Sequence, residues 1–314
     1  MRYHHIPVFA RFQWLNSGKV VDVLSAFLTP NERGRKGYGK TLLFRWLMWK
    51  WLMRCSYRDL ESVSGIDYST FIKFRKRLMA SFCLPDMFEM LAQTLVAQCD
   101  DLKLIVDSSF VETYSGHREE GSEYNGHKEK NGFKVHTIID YKTRLPVLQI
   151  ATPGARSDFT LAHHLIDRAP PSWKVKSLAA DKGYDSEKLV SQIKEKWKRA
   201  KIAIPLRRTN QEKVAGHPEG WLNRYLKRLP RSWDPLLYRE RTEIERYFSR
   251  KKNVFCLGEE KTRGFKNFEA NAYFTSIMEY LEFIACWTTL FTKLLRQLYV
   301  SYSRKMSEVL WYVP

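Results

Sequence analysis

The sequence predicts an α/β protein in which a mixed sheet is flanked by helices and preceded by an all-helical domain containing a helix-turn-helix. Three observations lead there. Residues 1 to about 100 read as helix throughout; from Leu102 short apolar runs alternate with helical patterns; and two of those runs stop at an acid, Asp107 and Asp181.

In the helical part a first helix is expected near 17–28, then a basic, glycine-bearing loop (29–40) and an aromatic-rich helix ending near Arg54. Ser56 can cap a short helix that Gly65 ends, and Asp67 or Ser69 can cap a second. A side-chain oxygen there satisfies amides that the first turn leaves unbonded, and glycine accepts the left-handed conformation that stops a helix. The second helix sets Lys73, Arg75, Lys76 and Arg77 beside Phe71, Ile72 and Phe74. Two short helices around a Gly turn, the second basic, fit a helix-turn-helix meeting DNA through those four cations. A further helix, roughly 86–99, closes the segment.

LKLIVD (102–107) is the first strand, followed by a polar, glycine-bearing stretch from Glu112 to Asn131. Residues 132–152 read as a β-hairpin with its turn near Tyr141–Arg144. Asp158 is expected to cap a helix over 159–169; VKSLAAD (175–181) is another strand, a helix starts at Asp185 or Ser186, and KIAIPL (201–206) is a further strand. A basic segment of about 30 residues then leads to the helix that carries Glu245. Strand, hairpin, helix, strand, helix, strand, helix is the order of the ribonuclease H-like fold, because crossovers between parallel strands must pack helices onto the sheet. The domain limits that follow are 1–100 for a helical DNA-binding domain, 101–295 for a catalytic domain and 296–314 for a C-terminal tail.

Lys and Arg number 53 against 34 Asp and Glu, a formal charge of +19 spread along the chain, so a polyanionic partner is expected, nucleic acid ahead of a membrane surface. A hydrophobic content of 44% and an aromatic content of 14% exclude a disordered chain. The cysteines (55, 83, 99, 256 and 286) are odd in number and lack any C-x-x-C, which excludes a disulfide framework and a zinc ribbon and fits reduced thiols in a cytoplasmic protein. The N-terminus lacks a signal-peptide pattern. Residues 42–53 and 280–295 are too short or too charged to span a bilayer, interrupted as they are by Arg45 and Lys50 or by Glu282 and Lys293, and read as buried helices.

Functional groups in such a sheet gather at the carboxyl ends of strands. Asp107 and Asp181 end strands that can be neighbours, and a helix across that end adds Glu245. Three carboxylates so placed can hold two divalent ions about 4 Å apart, the arrangement for in-line displacement at phosphorus. Each acid also has a plainer reading, Asp107 as a loop cap and Asp181 as an Asx turn before Gly183. Asp140, Asp158 and Asp185 are assigned to turns or N-caps, outside the metal site. Lys134 and His136 share one face of a strand, Lys134 toward DNA and His136 structural. His117, His127, His163 and His164 keep no metal-ligand spacing with any cysteine.

Tyr238, Arg241, Glu245 and Lys252 stand at separations of 3, 4 and 7 residues. On one continuous helix they would occupy an arc of roughly 60°, a narrow stripe carrying a metal-ligand oxygen flanked by phosphate-binding groups. Glu240 and Glu243 point away from it. Arg241 and Glu245 alone also read as a solvated ion pair worth tenths of a kcal/mol.

The pattern Y-x2-R-x3-E-x6-K resembles the signature around the catalytic Glu in a large group of DDE transposases from bacterial and archaeal insertion sequences. LAADKGYDS (178–186) and IVDSS (105–109) resemble that family's second-acid and first-acid motifs, and the segments 34–62 and 67–78 resemble its N-terminal helical domain. The resemblance runs from about residue 20 to 290, without the large β-rich insertion of some relatives. It implies that Asp107, Asp181 and Glu245 are a DDE triad binding two Mg2+ or Mn2+ ions. It further implies that Tyr238 and Arg241 contact phosphates near the transposon end and that Lys252 contacts DNA there, with Lys182 a further expected contact. The partners so implied are terminal inverted repeats and target DNA, bound by a homodimer. Water would cut the phosphodiester at the element's end, and the freed 3′-OH would attack the target. Two other classes stay open: a non-catalytic helix-turn-helix DNA-binding protein derived from a transposase, and another ribonuclease H-like nuclease such as a resolvase.

Overall fold

The computed structural model describes residues 17–28, 37–81, 83–96, 99–205, 235–258 and 263–286. The chain divides into two compact units. One comprises Met1–Thr94, Lys251–Lys261 and Ala270–Pro314; the other comprises Leu95–Arg250 and Thr262–Glu269.

The first unit is helical among its described residues. Helix α1 (Gly18–Phe27) is capped by Ser17, and α2 (Lys40–Met53) buries Leu43, Phe44, Leu47, Met48, Trp51 and Leu52. Helix α3 (Tyr57–Ser64) opens with a capping box between Ser56 and Asp59, and Gly65 ends it at φ 70°. Asp67, not Ser69, caps α4 (Tyr68–Ala80) by accepting the Ser69 N–H at 2.8 Å. Helix α5 (Cys83–Leu95) starts earlier than expected, with Pro85 in its first turn, where the missing N–H costs nothing.

The second unit is built on one mixed sheet. Its strands are β1 (Leu102–Glu112), β2 (Glu123–Asn125), β3 (Lys130–Asp140), β4 (Pro146–Pro153), β5 (Val175–Ala180) and β6 (Lys201–Ala203). They lie in the order β2-β3-β1-β5-β6, with β4 also paired to β3. The β1, β2, β3 and β4 pairings are antiparallel, and β5 runs parallel to both β1 and β6. The crossover helices α6 (Asp158–Arg168) and α7 (Glu187–Lys196) bury Ala162, Leu165 and Ile166, and Leu189, Val190 and Ile193. The helical stretch before Glu245 forms α8 (Pro235–Arg239), and Glu245 itself lies on α9 (Thr242–Asn253).

Four expectations change. Strand β1 does not end at Asp107: it continues to Glu112 because β3 still pairs with it, and what ends at Val106 is the pairing with β5. The polar stretch after it contains the short strand β2. Tyr238 and Glu245 do not share a helix, since the amides of Glu240, Arg241, Glu243 and Ile244 bond three residues back and tighten the chain between α8 and α9. Finally, the described residues from 101 to 286 do not all fall in one compact unit. Helix α10 (Phe265–Cys286) leaves the sheet unit after Glu269, where Phe268 stacks on Phe133 at 4.9 Å. From Ala270 it belongs to the helical unit, with Phe274 5.7 Å from Phe44 and Tyr273 5.8 Å from Phe88. Its side chains from Ala270 to Ile284 are buried, so that stretch needs helices around it and cannot lie on one face of a sheet. The basic segment 206–234 and the tail 296–314 lie outside the described residues. Among the described residues no helix is long and apolar enough to cross a membrane.

Candidate active site

Val106 and Ala180 are the last register partners of the parallel pair β1 and β5, so Asp107 is the next residue along β1 and Asp181 the first residue past the end of β5. Asp107 Oδ1 accepts the Ser108 N–H at 2.8 Å, and Asp181 Oδ1 accepts the Lys182 N–H at 2.8 Å as it caps the 3-10 turn Lys182–Tyr184. Each acid therefore also makes the local turn contact that a plain reading assigns it.

Helix α8 brings the third group. Leu237 packs on Ala179 of β5 and Ala203 of β6, with Tyr238 against the same cluster. The Tyr238 hydroxyl stands 3.5 Å from Asp181 Oδ1, and the Arg241 guanidinium lies 5.6 Å from the Tyr238 ring centroid. The tight turn after α8 is anchored by Lys103 of β1, which bonds Glu240. The first turn of α9 is anchored by Arg144 of the β3–β4 turn, whose Nε lies 2.8 Å from Glu243. These two acids, which point away from Glu245, thus hold the element that carries it.

Arg241 connects the acids. Its Nη2 is 2.9 Å from Glu245 Oε1 and its Nη1 is 3.9 Å from Asp107 Oδ2. Burial would lower its affinity for a proton, but Tyr238, Glu245, Asp181 and Asp107 together raise it. Burial pushes the Asp107 carboxyl up to about 6; Asp181 and Asp158 add to the rise, while the Ser108 amide and Arg241 oppose it. Among the described residues no group of three or more His, Cys, Asp or Glu side chains is gathered so as to hold a metal ion. The donor set nevertheless suits one. Three carboxylates are hard oxygen donors for a divalent cation, Asp181 repels the charge on Asp107, and one guanidinium lies between Asp107 and Glu245.

Beside Asp107 lies a cluster that sequence reasoning missed. Ser108 Oγ donates to Asp158 Oδ1 at 2.7 Å, Lys134 Nζ lies 3.0 Å from the same oxygen, and His136 Nδ1 lies 3.5 Å from it. Lys134 also donates to the Arg156 carbonyl, and His136 Nε2 is 2.9 Å from Thr152 Oγ1. Burial lowers the His136 pKa to about 4 despite Asp158, so the imidazole is neutral at pH 7. Asp158 is not the N-cap of α6; Ser157 takes that position and makes no side-chain cap bond. The signal for this cluster was the shared face of Lys134 and His136 on β3, read together with the register pairing of His136 with Ser108.

The remaining candidate DNA contacts separate by burial. Lys73, Lys76, Arg77 and Lys182 are exposed and Lys252 is half-buried in the last turn of α9. Arg75 is buried at 4% exposure and bonds Tyr57 Oη and Asn271 Oδ1, both at 3.0 Å. Lys134, with its side chain 12% exposed, is committed to Asp158. Both cations already have partners inside the protein, Arg75 on the inner face of α4 and Lys134 beside the start of α6.

Residues 98–279, more than half of the chain, match the transposase DDE domain, and the protein belongs to that family of DNA-cleaving and strand-transferring enzymes. A solved piggyBac transposase, in a synaptic complex with hairpin DNA, is 12% identical, with a TM-score of 0.44 over 99% of this chain and 83% of that chain. No curated protein matches the sequence.

Proposed function

We propose that the protein is the transposase of a prokaryotic insertion sequence, binding its terminal inverted repeats, cutting the ends and joining the freed 3′-OH to target DNA in the cytoplasm. The observation that carries this reading is the register that sets Asp107 on β1 and Asp181 just past the end of the parallel strand β5, with Arg241 tying Asp107 to Glu245. The strand order, with an antiparallel hairpin on one side of β1 and parallel strands on the other, supports a ribonuclease H-like catalytic domain.

Asp107, Asp181 and Glu245 would hold two Mg2+ or Mn2+ ions, which supply charge neutralisation and nucleophile activation at phosphorus. The chain's own groups do the rest. The Arg241 fork and the Tyr238 hydroxyl bind and orient the phosphodiester. Lys182 and Lys252 hold the strand, and Lys73, Lys76 and Arg77 of α4 hold the end sequence as the second helix of a helix-turn-helix. Two ends must be held together, so a homodimer on DNA is the working form.

Asp181→Ala is expected to keep end binding and lose Mg2+-dependent cleavage of a labelled terminal-repeat duplex; undiminished cleavage removes Asp181 from the site. End binding with no cleavage in the wild type would favour a DNA-binding protein, and cleavage without joining would favour a resolvase-like nuclease. Affinity for the ends should fall steeply with salt, since each phosphate contact releases counterions.

A further inference from the structure

We propose that Asp158 is a positioning residue for Asp107, acting through Ser108. The inference rests on reading Asp107 as a metal ligand and goes beyond it by naming what fixes its carboxylate.

Three observations support it. An acid in the first turn of a helix ordinarily serves that helix's own free amides. Asp158 instead spends one oxygen on two neighbouring strands, with Ser108 at 2.7 Å and Lys134 at 3.0 Å. Next, Ser108 is bonded at both ends: its backbone N–H goes to Asp107 Oδ1 at 2.8 Å and its hydroxyl goes to Asp158. Tethering the hydroxyl to Asp158 restrains how far Ser108 can shift, and Ser108 carries the N–H that aims the carboxylate. Lastly, β1 has lost its parallel neighbour at this point. Beyond Val106 only β3 holds it, as β5 has ended. A strand supported on one edge twists more freely, and the start of α6 replaces the missing support.

Lys134 has a separate part. A second carboxylate beside a buried Asp107 would add repulsion, and the ammonium 3.0 Å from Asp158 offsets it.

The test measures Mn2+ binding to the full chain by calorimetry without DNA, with thermal melts on each variant. Ser108→Ala and Asp158→Ala are each expected to weaken Mn2+ binding about tenfold or more, as groups that orient a metal ligand do. The double variant should be no weaker than the worse single, because both remove one contact. Ser108→Thr, which keeps the hydroxyl, should bind as the wild type does. Lys134→Met leaves the Ser108 bond in place, so it should lower the melting temperature and spare Mn2+ affinity.

Wild-type Mn2+ affinity in Ser108→Ala, additive losses in the double variant, or an equal loss in Lys134→Met would each overturn the proposal. If Asp158→Ala does not fold, the Ser108 pair decides alone. Asp107→Ala separates the two readings. If it binds Mn2+ undiminished, the metal site itself is misassigned; if it loses binding while Ser108→Ala does not, only the positioning role fails.

Discussion

In the helical unit Lys251 is fully buried, bonded to the Ser276 hydroxyl, with Glu279 Oε2 4.0 Å away. In the sheet unit Asp107, Asp181 and Glu245 act on the one guanidinium of Arg241, and the side chain of Glu245 is 58% exposed. Both arrangements bring opposite charges together, one fully buried and one open to water, and they do so with opposite balance. Lys251 faces an acid and a hydroxyl of α10 in a fully buried setting, so its charge is met inside the fold. The carboxylates outnumber their cation and stay half open, leaving negative charge for something from solution to neutralise. A buried pair of the first kind stores specificity, and an unbalanced cluster of the second kind stores affinity.

The largest effect should come from breaking the closed pair. Lys251→Ala takes the ammonium away from the buried Glu279 and should cost about 3–5 kcal/mol in denaturant unfolding at pH 7. An unchanged midpoint would show that the ammonium contributes nothing there. Burial lowers Lys251 to about 8 in the folded chain against 10.5 in the unfolded one. The unfolded state therefore binds more protons between those values, and stability should rise as pH climbs from about 8 to 10.5.

The open cluster should respond the other way. Asp107 has a folded pKa near 6, above its ordinary 3.8. Its contribution is present below pH 3.8 and is lost as pH rises through 6, so at pH 7 the ionised form works against folding. Asp107→Asn mimics the protonated form. With chelator present it should stabilise the protein by about 2 kcal/mol, a rise of several degrees in Tm, while ending cleavage. A lower Tm would mean that Arg241 already compensates the charge in full.

The smallest effect belongs to the exposed face of α4. Lys76→Ala should leave stability within about 0.5 kcal/mol and reduce the salt slope of end binding by about one. A slope unchanged in Lys76→Ala would take α4 off the DNA.

The candidate site was legible in part. Asp107 and Asp181 stand out because each closes a short, largely apolar run, and the hairpin turn near Arg144 and the caps at Ser56, Gly65 and Asp67 are local chemistry. Periodicity misplaced what depends on distant segments. It put Tyr238 and Glu245 on one helix and spent Asp158 on a cap, and it carried no sign that Arg75, Lys134 and Lys251 are held by partners inside the protein. In the folded chain Lys251 is buried and Lys252 only half so.

The sequence by itself determined most of the helices and strands, where most of them begin, and the order of the three acids, because capping, turn conformation and alternation of apolar residues act over a few neighbours. Only the tertiary structure decided that Arg241 joins Asp107 to Glu245 and that Asp158 turns to Ser108. Those contacts join residues 134 and 50 positions apart along the chain. No local preference encodes them, and they form only when the end of β5 exposes one edge of β1 to the elements packed around it.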